Sequence, residues 1–195
     1  MKLIVGSQST WSMRAWMCTR LAGVECEVIS MALSGDGYRE QLARYSPSVL
    51  VPVLVDGDLV IHDSLAIAEY LNECSDGRLL PVDSAARAVA RSLLAELHSG
   101  FSQLRSSCPF TLETAEPVAI NSAIQAELTR VTQIFSQATG GFMFDAPGAV
   151  DAFYAVLASR LSIYGMSLEG RAGEYQRALT NWPLFKSAWQ QVQQW

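Results

Sequence analysis

The chain has 195 residues, half of them hydrophobic, and a formal net charge of −5. That length suits one large or two small domains with an ample core. The acidic balance argues against nucleic-acid binding as a main role, because counterion release needs clustered Lys and Arg. No run of eighteen apolar residues occurs, so no membrane span is expected. Met1-Lys2-Leu3-Ile4-Val5 is too short, and too soon broken by Gly6, to read as a secretory leader. Cys18, Cys26, Cys74 and Cys108 have no CxxC spacing and no metal-ligand grouping with the two histidines. The expectation is reduced, mostly packed thiols, no metal and a cytoplasmic location.

Residues 2–6 read as a first strand and Ser7 to Trp11 as a loop. Ser12 is placed to cap a helix that runs to about Ala22 and stops at Gly23. Glu25 to Ala32 reads as a second strand, and Asp36 to Tyr45 as a weaker helix ended by Ser46-Pro47. Val51 to Val55 is a short apolar run. Asp56-Gly57 signals a primed hairpin turn, Leu59 to Ile61 forms the return strand, and Asp63 or Ser64 caps a helix to about Cys74. Strands with intervening helices fit an α/β class. Ser75 to Pro81 is punctuated by Gly and Pro and loses periodicity, as a linker does. The domain division expected is 1–75, a linker at 76–83, and 84–195.

After the linker only helices are expected: 84–106, Pro117 to Ala138 with Pro at the first turn, Gly148 to Tyr164, Gly173 to Leu179, and Pro183 to Gln194. Asp151 sits where it would cap or brace its helix. Cys18, in the third turn of the first helix, reads as a buried structural thiol.

Val51-Pro52-Val53-Leu54 followed by Asp63-Ser64-Leu65-Ala66-Ile67 resembles the glutathione-site signature of cytosolic glutathione transferases. Ser9-Thr10-Trp11-Ser12-Met13-Arg14 is similar to the serine-containing segment of zeta-class-like members, which include maleylacetoacetate isomerases. Ala149-Val150-Asp151-Ala152-Phe153 resembles the Asp-containing helix start of the family's second domain. The resemblance implies an α/β thioredoxin-like N-terminal domain, an all-α C-terminal helical bundle, and a homodimer. It implies glutathione as co-substrate and no membrane or nucleic-acid partner. The Val51–Pro52 peptide would be cis, Val51 would pair through its backbone with the cysteinyl part of glutathione, and Asp63 with Ser64 would hold the γ-glutamyl end. Thr10, Trp11, Ser12 and Leu50 complete the expected glutathione shell.

The chemistry asked of such a site is thiolate formation. A free thiol has a pKa of roughly 8.5, and lowering it by about two units means favouring the anion by roughly 2.7 kcal/mol. One charge-assisted hydrogen bond supplies about 1.5–3 kcal/mol and a helix N-terminus up to about 1. A single hydroxyl beside the first helix is therefore adequate. The resemblance points to Ser9 as that hydroxyl, with Thr10 and Ser12 as rivals; a capping role competes for Ser12. His98, Phe101 and Arg105, at i, i+3 and i+7 of the long helix, would share one face, which either lines a second-substrate pocket for a small hydrophobic or maleyl-type electrophile or is a surface or interdomain face. Two departures from the family pattern stand out. Leu50 occupies a position often held by Lys, Gln or His, and Gly148 replaces a Ser or Thr cap. Leu50 leaves room for a second reading, a non-catalytic interaction or regulatory protein on the same fold.

Overall fold

In the computed structural model, which describes residues 1–35 and 37–195, the opening apolar run forms β1 (Lys2–Gly6). It is followed by α1 (Thr10–Ala22), β2 (Glu27–Met31), α2 (Tyr38–Ala43), β3 (Val53–Asp56), β4 (Leu59–His62) and α3 (Ser64–Cys74). Asp36, the expected start of the second helix, lies outside the described residues. The strands form one sheet in the order β2-β1-β3-β4. β1 and β2 are parallel, joined through α1, and the rest are antiparallel. This is the thioredoxin-like arrangement.

Period-two alternation divides the sheet's side chains between two cores. Ile4 and Val53, directly paired, pack with Leu42 of α2. Their neighbours Leu3 and Leu54, also paired and wholly buried, point to the other face, where α1 and α3 lie. The β3–β4 turn is as tight as Asp56-Gly57 implies, with Gly57 at φ 58° and Asp56 opposite Leu59. At the far end of α3, buried Asn72 accepts from the Leu79 and Leu80 amides, each at 3.1 Å. Asn72→Ala strands both donors and is expected to lower stability by about 1–3 kcal/mol in urea unfolding.

The chain divides into two compact units, Met1–Leu80 with Ser187–Trp195, and Pro81–Lys186. The second unit contains α4 (Ser84–Ser99), α5 (Ser102–Ser107), α6 (Ser122–Phe135), α7 (Ala149–Ile163), α8 (Gly170–Asn181) and the start of α9 (Pro183–Val192). No strand occurs there among the described residues. Every residue of α7 from Ala149 to Leu161 is buried, the mark of a central helix. Phe135 of α6 meets Tyr154 and Tyr175 edge-on at 5.8 and 5.0 Å between ring centres.

Two expectations about this unit are corrected. The helix expected over 84–106 is broken, because Gly100 ends α4 in extended conformation and Phe101 turns left-handed, at φ 58°. α5 is held by others. Glu127 accepts from the Gln103 and Leu104 amides at 3.1 and 2.8 Å, and Arg160 donates to the Cys108 carbonyl at its other end. The helix expected from Pro117 begins at Ser122 instead. Asn121 caps it, accepting from the Ile124 amide at 2.9 Å, so the side-chain cap outweighs the proline signal.

Candidate functional site

The strand register brings the expected site segments to one end of the sheet. Ile4 lies opposite Val53, so the C-terminal end of β1 runs toward Val51-Pro52. A Cβ on Gly6 would come within 2.8 Å of Val51 Cγ2. Val53 in turn lies opposite His62, which places Asp63 and Ser64 at the same end. α1 starts there just after β1, and α3 just after β4. Two helix N-termini and the proline turn therefore converge. Both termini present amide N–H groups and the positive end of a helix dipole, a setting that favours anions.

Ser9 is the N-cap of α1, which corrects the capping assignment to Ser12. Its Oγ accepts from the Ser12 amide at 3.2 Å, and it is 8% exposed. That bond uses an oxygen lone pair and leaves the hydroxyl proton to donate elsewhere. Ser12 is fully buried, and its own Oγ accepts from the Gly6 amide at 3.1 Å, tying α1 to the end of β1. Thr10 opens the helix, also 8% exposed. Trp11 is half-buried and lies under the Arg14 guanidinium, 4.6 Å from the ring centre. Arg14 was not singled out in the sequence, although its i, i+3 spacing from Trp11 was visible. It is nearly buried and puts a cation in the first turns of α1.

The Val51–Pro52 peptide is cis, as the resemblance implied. Val51 packs beside the Ile4–Leu42–Val53 cluster and Pro52 is buried. Leu50 is 67% exposed, an apolar side chain in water at the site's rim. Asp63 caps α3, accepting from the Leu65 and Ala66 amides at 2.7 and 3.4 Å, from a backbone at φ 78° and ψ 132°. A non-glycine residue is rarely held there, and such strain gathers at ligand sites. Asp63 also lines an open hollow of about 600 Å³ with Val60, Ile61, His62, Leu65, Ala66 and Glu69.

Ser64, the first residue of α3, is 1% exposed. Its Oγ is buried and has no hydrogen-bond partner among the described residues. A hydroxyl left in that state costs free energy unless something else satisfies it.

The remaining candidates fall elsewhere. Cys18 is fully buried, and burial pushes its thiol up to about 12, only partly offset by Arg14. It is an inert packed thiol. No grouping of His, Cys, Asp or Glu among the described residues could hold a metal. His98, Phe101 and Arg105 do not share one helical face, because α4 ends between the first and the second. Phe101 is 6% exposed and lines a cavity of about 290 Å³ in the helical unit with Glu96, Gly100, Ala126, Glu127 and Arg130. Arg105 instead donates to the Leu97 and His98 carbonyls and closes the end of α4. Among the described residues no helix is long and apolar enough to cross a membrane.

Residues 8–74 match the family model described as the N-terminal domain of glutathione S-transferase. A probable maleylacetoacetate isomerase of Vibrio cholerae is 41% identical over 69 residues, 33% of this chain and 32% of that protein. A stringent starvation protein A homolog of Haemophilus ducreyi is 29% identical over 140 residues, 71% of this chain and 65% of that one. The chain thus spans between one third and two thirds of the length of these curated relatives. A crystal structure of a glutathione transferase homolog from Burkholderia, with bound glutathione, superposes with a TM-score of 0.75 at 22% identity, covering 99% of this chain and 97% of that one. This last likeness is one of fold.

Proposed function

We propose that this chain, a zeta-like member of the glutathione S-transferase superfamily, binds glutathione at the convergent end of its sheet and adds the thiol to a small hydrophobic or maleyl-type electrophile. The observation that carries the reading is Ser64, a buried hydroxyl without a hydrogen-bond partner among the described residues, at the mouth of an eleven-residue helix. A carboxylate placed there would receive the Ser64 hydroxyl at the positive end of the α3 dipole, whose Leu65 and Ala66 amides are already held by Asp63. Asp63, on the same turn, supplies the charge that suits the adjoining amino group. Glutathione's γ-glutamyl end carries both groups.

The thiol of a tripeptide lying toward Val51 then reaches the start of α1. There Ser9 donates its hydroxyl proton as a hydrogen bond and keeps it. The dipole of α1 and the Arg14 cation favour the anion further. Addition forms one S–C bond while the electron pair of the acceptor's double bond takes a proton from solvent. If the adduct, before it takes that proton, rotates about the carbon–carbon bond that was double, its electron pair re-forms the double bond as the thiolate leaves, and the outcome is isomerisation of a maleyl-type acid. The molecule is proposed to act as a homodimer in the cytoplasm.

Calorimetric titration with glutathione tests the reading. Micromolar to low-millimolar binding is expected. Ser64→Ala removes an unsatisfied group, so it should leave thermal stability unchanged or slightly raised. The same change should weaken glutathione roughly tenfold, the loss of one charge-assisted hydrogen bond. Absence of heat at several millimolar, without thermal stabilisation, would overturn it.

Exposed Leu50 favours a second reading, a non-catalytic interaction or regulatory protein. Retention on immobilised glutathione with no turnover of a general electrophile would select it.

A further inference from the structure

Residues 49–51 send one apolar side chain outward between two that turn in. Val49 and Val51 both pack against the Ile4–Leu42–Val53 cluster, and Leu50 between them is 67% exposed. Val49 stands at φ 52°, a left-handed backbone that a β-branched residue rarely adopts. Its amide donates to the Ser46 carbonyl at 3.2 Å, and the buried Ser46 Oγ accepts from the Ser48 amide at 3.3 Å. Leu50 is thus presented to solvent by a backbone that its neighbours hold in place against strain, and such strain gathers at ligand sites.

The register sets the direction of a ligand at this turn. Pro52 has no N–H, so an extended ligand pairs with Val51. Val53 lies opposite His62, so Ser64 stands on the Val53 side of Val51. A tripeptide with its γ-glutamyl end at Ser64 and its cysteinyl unit at Val51 must send its glycyl end the other way, to Leu50. Leu50 offers neither charge nor a hydrogen-bond donor. A carboxylate brought against it gives up water and gains nothing. An ester or amide gives up less, and its apolar atoms bury against the leucine.

We propose that Leu50 makes this site prefer a γ-glutamyl-cysteinyl thiol whose glycyl end is neutral, an ester or an amide, over free glutathione. The inference rests on the glutathione reading above and deepens it.

Calorimetric titration of the full chain with glutathione and with its glycyl monoethyl ester tests it. The wild type is expected to bind the ester more tightly, by about threefold. Leu50→Gln supplies a donor without changing the net charge, so the long-range field acting on the two ligands stays the same. It is expected to move the ratio of the two dissociation constants toward glutathione by at least about threefold, as the apolar contact is lost and a hydrogen bond gained. Residue 50 is exposed, so thermal unfolding of the variant should match that of the wild type. A wild type that binds both equally, or prefers glutathione, would overturn the proposal and give the glycyl carboxylate to a cation such as Arg39 of α2. The same ratio in Leu50→Gln would overturn it as well. Either result leaves glutathione bound, whereas binding of neither thiol would remove the glutathione reading and this inference with it.

Discussion

Ser9→Gly is expected to raise the pKa of the chain-bound glutathione thiol by about two units while leaving the fold intact. In the proposed site Ser9 would have two jobs that use different parts of one hydroxyl. The oxygen accepts from the Ser12 amide and caps α1, and the proton is left to donate. Glycine at an N-cap costs only a few tenths of a kcal/mol, whereas alanine costs about 1. The pair Ser9→Gly and Ser9→Ala therefore separates the jobs: both lose the sulfur's donor, and only the second loses much stability. If the bound thiol titrates near 6.5 in the wild type and near 8.5 in the variants, the thiolate fraction at pH 7 falls by roughly 25-fold, and turnover should fall with it. Ser9→Thr keeps cap and donor and should stay within a few-fold of wild type. The measurement is the ultraviolet absorbance of bound thiolate against pH. Equal thiol pKa values in all four proteins would remove Ser9 from the sulfur.

Asp151→Ala is expected to cost the helical unit about 3–5 kcal/mol, the range for breaking a buried charged network by removing one member. The carboxylate is fully buried. It accepts from the Met143 amide at 2.8 Å, the Gly148 amide at 2.9 Å and the Tyr175 hydroxyl at 2.6 Å. Three donors from three segments lose their acceptor at once. Gly148 has no side chain to cap α7, so the return bond from Asp151 to its amide is the half of a capping box that survives. The pH dependence has an unusual sign. Burial pushes the Asp151 carboxyl above its ordinary range, and hydrogen bonds from Tyr175, Met143, Gly148 and its own amide only partly hold it down. A raised pKa means stability that is present below the ordinary carboxylate value and lost as pH rises through the folded value. Asn at this position cannot titrate. The stability advantage of wild type over Asp151→Asn should therefore shrink as pH climbs out of the acid range and then level off. Urea unfolding of both proteins across that range measures it, and an advantage that grows with pH would refute the assignment.

The hairpin and the start of α3 were legible because their determinants are local. Asp56-Gly57 sets a turn within four residues, and Asp63 caps amides two and three positions on. The start of α1 was legible only in part. Ser9 and Ser12 are both good caps three residues apart, and the choice rests on a longer connection, the Gly6 amide donating to Ser12 Oγ. The break after Ser99 was signalled by Gly100. Helical periodicity on either side masked it, and what fixes the break is Arg105 reaching back to the Leu97 and His98 carbonyls. Tyr175, 24 residues from Asp151, carried no sequence signal, since its role depends on how α8 packs. Ser64 was readable as a residue type in a motif. Its solitary hydroxyl was not, because burial without a partner is a property of the folded surroundings.

A six-residue helix such as α5 has no stability of its own in water. Its first amides wait on Glu127, and its last carbonyls on Arg160. During synthesis, residues 102–107 must therefore leave the ribosome as coil and stay so until residues 127 and 160 have followed. The middle of the helical unit is finished from its C-terminal side, against the direction in which the chain is made.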